Sequence, residues 1–183
     1  MVASGTQGIA AKEQVLNVAY AVSAGDAFTR SLREGLSNLS EPDLRYGVLA
    51  NLVRRNDIRI LPEVKALLLE AGLPEQYRRL FKYVVGNSLT DSRALPSIEP
   101  LLGSSYSSTR AAAAEAVWHI AAWAGAPAAV SALTDSDQRV RYYSVRALAD
   151  ITGQTEWRPS IPEFQEHEPK YIEHWLDWAK TRR

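Results

Sequence analysis

The chain has no cysteine, one methionine, three phenylalanines and no net charge, 21 Lys and Arg balancing 21 Asp and Glu over 183 residues. Without cysteine there is no disulfide, no thiolate-held metal and no thiol nucleophile. Charge neutrality argues against a protein whose main task is to cover phosphates, so nucleic acid is not the expected partner, although a local basic stripe is compatible with it. Long hydrophobic runs are missing too. No stretch reaches the roughly 18 apolar residues that a membrane helix needs. The opening MVASGTQGIAAKEQV has neither a basic n-region nor an apolar core, so no secretory signal is expected in it as given. The cytoplasm is the default location, and a mature exported chain with a replaced start has the same signature. Glycine-rich phosphate loops, Ser-His-Asp order and paired catalytic carboxylates are also absent. The length suits one domain.

What is present is a repeat. An Arg stands in the first turn of an apolar helical pattern four times, in LRYGVLANL, YRRLFKYVV, TRAAAAEAVW and VRYYSVRALA, at Arg45, Arg78, Arg110 and Arg141, spaced 33, 32 and 31 residues apart. Two helical turns after each Arg comes an aliphatic residue on the same face: Leu52, Val85, Val117 and Leu148. Pro62, Pro96, Pro127 and Pro159 run in phase with the Arg residues. Proline suits the first helical position, where its missing N–H has no partner to lose. Each unit therefore reads as a short helix opened by Pro and a longer one opened by Arg.

The order of Pro helix, Asp-containing turn and V-R-x-x-x-x-x-A-L helix resembles a HEAT repeat, in particular the short HEAT-like units of bacterial scaffold proteins and phycobilin lyases. The resemblance covers most of residues 29–153 and is sharpest from Pro127 onward, where Asp135, Val140, Arg141, Ala147 and Leu148 match. It implies an all-α fold, a right-handed α-solenoid of about five helical hairpins. The turn position of Asp135 is held by Ser104 one unit earlier and by Gly72 before that, so a continuous Asp–Arg ladder is not expected.

Along the chain, residues 1–8 read as a flexible terminus and 9–25 as an N-terminal cap helix with Val15, Ala19 and Val22 at helical spacing. Residues 26–153 hold the repeats. Asp26 is placed to cap a helix carrying Phe28, Leu32 and Leu36. Gly72 is expected as the left-handed residue closing the helix from Pro62 to Ala71. Pro100 should kink or shorten the helix from Leu95 to Leu102. The Ala-rich stretch from Thr109 to Ala124 predicts the closest helix approach in the stack. Residues 154–183 form a C-terminal cap whose last helix, Glu168 to Arg182, carries Tyr171, Trp175 and Trp178 along one stripe. Such a stripe is either a seal over the last core face or a partner-binding edge, and exposure of Trp175 or Trp178 distinguishes them.

The resemblance implies that the Arg-opened helices line a concave surface. Positions one, five and nine after each Arg should face away from the core. From them come the candidate binding residues Tyr46, Arg54, Arg79, Tyr83, Glu115, His119, Tyr142, Arg146 and Asp150. Tyr and Arg are the types enriched among interface anchors. Arg45, Arg78, Arg110 and Arg141 are expected to be structural, bridging units through carboxylates or helix-end carbonyls. His119, four residues after Glu115, reads as one half of a Glu–His hydrogen bond. Deoxyhypusine hydroxylase, a di-iron protein of HEAT-like repeats, needs several His-Glu dipeptides, and Glu166-His167-Glu168 supplies one. No metal and no cofactor are expected.

The expected function is a monomeric, non-catalytic scaffold or adaptor that binds a protein or peptide on the concave surface. The alternative comes from the alkylpurine DNA glycosylases, which resemble this architecture. It would place Trp118, Trp123, Tyr142 and Asp150 around a lesion, with Arg54, Arg79 and Arg146 on phosphates. On the scaffold reading Tyr142→Ala, Tyr83→Ala and Arg146→Ala should each leave the fold intact and weaken binding of a partner.

Overall fold

The computed structural model describes residues 26–181, so the expected terminus at 1–8 and cap helix at 9–25 lie outside the described residues. The described chain is all-helical, and no strand occurs in it. Helix α1 (Asp26–Gly35) is followed by α2 (Pro42–Arg54), α3 (Leu61–Leu69), α4 (Glu75–Ser88) and α5 (Leu95–Ile98). Then come α6 (Ser107–Ile120), α7 (Ala126–Ala132), α8 (Gln138–Thr152) and α9 (Ile161–Lys180).

The long and short helices alternate as the two sequence markers require. Pro62, Pro96 and Pro127 each sit in the first turn of a short helix. A single 3-10 turn leads into each of these, at Ile58–Ile60, Ser92–Ala94 and Trp123–Gly125. The fourth marker is displaced: Pro162, not Pro159, lies in the first turn of α9. That helix begins seven residues before the expected Glu168, because Ser160 and Glu163 form a reciprocal capping box over its free N–H groups. Its helical geometry breaks at His167, two residues before Pro169. Proline inside a helix removes a backbone donor and crowds the preceding turn. Pro100 acts similarly, leaving α5 one turn long and continuing as a 3-10 segment, Glu99–Gly103.

The long helices pack in chain order, α2 on α4, α4 on α6 and α6 on α8, with α9 on the far side of α8. Among the short helices α3 touches α5, and α7 touches α9. The Ala-rich α6 makes the most extensive helix–helix packings of the described chain, against α8 and α4. Small side chains permit this approach: Ala113 and Ala116 are fully buried. The core among the helices holds Leu52, Leu61, Leu68, Phe81, Val85, Ile98, Val117, Leu133 and Leu148, all buried. Burial of this apolar surface, at about 25 cal/mol per Å², is the main stabilising term.

The four repeat arginines join the units. The Nη1 group of each donates to a carbonyl at the end of the preceding helical segment: Arg45 to Leu36 (2.8 Å), Arg78 to Leu68 (2.8 Å), Arg110 to Ser104 (2.9 Å) and Arg141 to Asp135 (2.6 Å). These carbonyls lie where helix geometry leaves acceptors without partners. The other edge of the guanidinium reaches forward. Arg45 meets Glu63 (2.5 Å), Arg110 meets Asp135 through two bonds (2.7 and 3.0 Å), and Arg141 meets Glu168. Arg78 has no forward carboxylate at the matching place. Its guanidinium lies 4.0 Å over the Tyr106 ring, and a second bond runs back to the Glu70 carbonyl. The ladder is thus continuous, although its forward partners are Glu63, Tyr106, Asp135 and Glu168 rather than one recurring Asp.

Two helix ends depart from the sequence reading. Gly72 is not left-handed; α3 ends instead on Glu70 in extended geometry. Among the described residues the left-handed positions are Asn56, Ala121 and Gly153. At Ala121 (φ 47°), which closes α6, a Cβ carries a steric penalty of about 1 kcal/mol that glycine avoids. Ala121→Gly should therefore raise stability by about 0.5–1 kcal/mol in urea unfolding despite the larger entropy of the unfolded glycine.

Acid should unlock the rungs. For Asp135, the hydrogen bonds from Arg110 outweigh partial burial and lower its carboxyl pKa. Burial would raise Asp57 and Glu168, but hydrogen bonds from Arg59 and Arg33 to the first, and from Arg141 and Gln138 to the second, bring both below the ordinary range. A lowered folded-state pKa stabilises above the unfolded value, near 4, and that contribution disappears as pH falls through the folded value. Tm should therefore fall as the pH is lowered below about 4, and Asp135→Asn should flatten the profile.

Candidate functional site

The outward side of α6 and α8 carries one connected cluster of aromatic and charged side chains. The indole N–H of Trp118 donates to Oδ2 of Asp150 (2.6 Å), and Oδ1 of Asp150 pairs with Arg158 (3.4 Å). The Arg146 guanidinium lies over Trp118, 4.1 Å from the ring centre, and its Nη1 donates to the Tyr142 hydroxyl (2.8 Å). Tyr143 also stacks on Trp118, with ring centres 5.9 Å apart and planes 19° from parallel. Trp118 and His119 are in ring contact at 4.3 Å.

The cluster is tied to α4 as well. Nδ1 of His119 donates to the Gly86 carbonyl (2.7 Å). The Glu115 carboxylate lies so close to Gly86 that a Cβ there would overlap it, so glycine leaves room for the carboxylate in this position. The Tyr143 hydroxyl donates to Glu115; burial, then the charge and hydrogen bond of Glu115, push its pKa up to about 12. The expected Glu115–His119 pair is therefore replaced by two links to neighbouring helices. Most of these side chains are engaged on both edges, so few rotamers remain to be lost when a ligand arrives.

The nine sequence candidates divide. Glu115, His119, Arg146 and Asp150 belong to the cluster, and Arg79 and Tyr83 lie exposed on the outward side of α4. Arg79 pairs with Glu75 (3.2 Å), whereas Tyr83 is 62% exposed. Arg54 is partly buried at the end of α2. Tyr46 turns toward the interior, packing on Tyr77 and Phe81 with ring centres 4.5 and 5.8 Å away. Tyr142 is 7% exposed and covered by Phe164 of α9 (5.4 Å), so it is a support beneath Arg146 and not a free contact residue. Tyr142→Ala is accordingly a core mutation, against the expectation that it leaves the fold intact. The reason for the miss is angular. A step of four residues advances about 400°, so positions one, five and nine drift through about 80° and the first of them rotates toward the core. Ala111, at the first position of its unit, is buried for the same reason.

Sequence reasoning missed Tyr143 and Arg158. A signal existed for Tyr143: position two after the repeat Arg shares the outward stripe with Arg139, Arg146 and Asp150. None existed for Arg158, which reaches the cluster from the turn after α8 through Asp150.

The second aromatic group lies at the C-terminal end. Trp175 is fully buried, in edge contact with His174 and Trp178, while Trp157 stacks on His174 at 3.6 Å. Burial lowers the His174 pKa, with Glu156 and Asp177 opposing it, so the ring is neutral near pH 7. Trp178 is partly buried and stacks on Trp123, which is 54% exposed. The stripe is mainly a seal, as its burial indicates.

Among the described residues no group of three or more His, Cys, Asp or Glu side chains is placed to hold a metal ion, and no helix is long and apolar enough to cross a membrane. In comparisons with known proteins, no protein-family model matches this chain, and no curated protein matches it.

Proposed function

We propose that this chain is a HEAT-like α-solenoid acting as a non-catalytic binding module, whose long helices present a pre-ordered face to a protein or peptide partner. The observation that carries the reading is the interlocked cluster of Trp118, Tyr143, Arg146, Asp150 and Arg158 on the outward side of α6 and α8. It places large, flat side chains at the surface with their rotamers already fixed, and beside them, on α4, Tyr83 stands exposed. Tyr, Trp and Arg are the residues that carry most of the binding energy at protein interfaces. The chain-order packing of the long helices, the 3-10 turns that open the short ones and the arginine rungs support the solenoid. Nearest-neighbour packing of this kind gives an extended surface whose parts move little relative to one another.

The glycosylase alternative needs an Asp carboxylate available to a developing cationic sugar. Both oxygens of Asp150 are engaged, one by the Trp118 indole and one by Arg158, which favours a structural part for it. The discriminating experiment is a titration at low and high salt against labelled duplex DNA, a single strand and a lesion-bearing duplex. The module reading expects no lesion preference and no salt-resistant binding. Tight, lesion-selective binding that Asp150→Asn abolishes would overturn it.

A further inference from the structure

Arg146 is set apart from the other cations on this side of the molecule. Arg79 pairs with Glu75, Arg139 with Asp137 and Arg158 with Asp150. Asp150, one turn along the same face from Arg146, is the carboxylate that would normally neutralise it. The Trp118 indole and Arg158 hold that carboxylate instead. Arg146 keeps a single hydrogen bond, from Nη1 to a neutral tyrosine hydroxyl, and its Nε–H is enclosed without an acceptor. The Trp118 ring backs the guanidinium on one side. A partly buried guanidinium backed by a ring, with Nη2 unbonded and no counter-charge, is arranged to receive an anion at its outer N–H groups.

We propose, resting on the binding-module reading, that Arg146 is the carboxylate-recognition point of this face and that the occupant is an acidic peptide segment. It would lay an Asp or Glu side chain on Arg146 and an apolar residue toward Tyr83. The want of a carboxylate on Arg146 selects the acid: Arg139 and Arg158 are paired with Asp137 and Asp150, and the Glu115 carboxylate of the cluster is bonded to the Tyr143 hydroxyl. The length follows from the helix spacing. Tyr83 on α4 and Arg146 on α8 are two helix widths apart, about 20 Å at 8–10 Å each. An extended segment of about six residues spans that distance.

The test uses the full chain and three labelled peptides of alternating Glu and Leu, Gln and Leu, and Lys and Leu. Binding is read by fluorescence anisotropy and by the ¹⁵N-detected Nε–H resonance of Arg146. The Glu peptide should bind at least about tenfold more tightly than the Gln peptide. It should move the Arg146 resonance, and Arg146→Gln should erase the difference. Arg146→Lys, which keeps the charge and loses the planar fork, should recover only part of it. Equal binding of the Glu and Gln peptides, both lost in Tyr83→Ala, would overturn the carboxylate assignment and leave the binding face standing. Absence of binding by the Glu peptide, or a preference for a single-stranded oligonucleotide that displaces it, would overturn the assignment as well. An unbiased peptide selection decides the module reading separately.

Discussion

Replacing Arg78 with Met should destabilise the protein by about 3 kcal/mol, lowering Tm by roughly 6–12 °C, whereas Arg45→Met should cost about 1 kcal/mol or less. The two arginines hold the same place in the repeat, so a sequence argument alone would rank them equally. Arg78 is 2% exposed, lies on the Tyr106 ring and donates to the carbonyls of Leu68 and Glu70. Removing it strands two acceptors at the end of α3, the Leu68 carbonyl with no other donor near it, and opens a gap against the next unit. Arg45 and its partner Glu63 are about a third exposed, so water takes over much of what the pair supplies. Arg78→Lys should not rescue, because an ammonium cannot lie flat on a ring and address two diverging carbonyls. Equal losses at the two positions, measured by urea unfolding, would mean that the rungs are decorative and that packing alone joins the units.

Trp175→Ala should be the most damaging single truncation in the C-terminal region, at about 3–5 kcal/mol. Its side chain is fully buried under α9, with Tyr171 and Phe164 on the same helix also buried. Trp175→Phe should cost far less, since the indole N–H has no hydrogen-bond partner and its removal relieves an unsatisfied donor. Trp123→Ala should stay within about 1 kcal/mol, as suits a residue 54% exposed. The contrast separates a sealing helix from a docking edge: if Trp123 mattered as much as Trp175, the aromatic end would be a surface under tension and not a cap.

Much of this architecture is legible in the residues because two independent signals repeat in phase. Arg in the first turn marks the long helices, and Pro marks the short ones. Where one signal stands alone the reading slips. Pro159 was in phase with the earlier prolines, yet Ser160, Pro162 and Glu163 carry the capping chemistry that starts α9. That capping box is visible in the sequence, and periodicity obscured it. Helix ends were harder, since Gly72 is the obvious left-handed residue and Ala121 is not, while the chain uses Ala121. The candidate site was recovered where the outward stripe crosses α6 and α8 and lost where burial depends on a distant element. Tyr142 is covered by Phe164, 22 positions further on, and no local pattern announces that contact. Arg158 joins for the same reason in reverse: its role comes from the fold of a turn around Asp150.

The most direct test of the binding face is one unbiased peptide-display selection run in parallel on three proteins matched for thermal stability. These are the wild type, a face variant with Tyr83→Ala and Arg146→Ala, and a control with the exposed residues of other segments changed, Leu69→Ala and Ile161→Ala. Wild type and control should enrich the same peptide families and the face variant should lose them. Enrichment of one shared set by all three proteins, or of none by the wild type, would contradict the account.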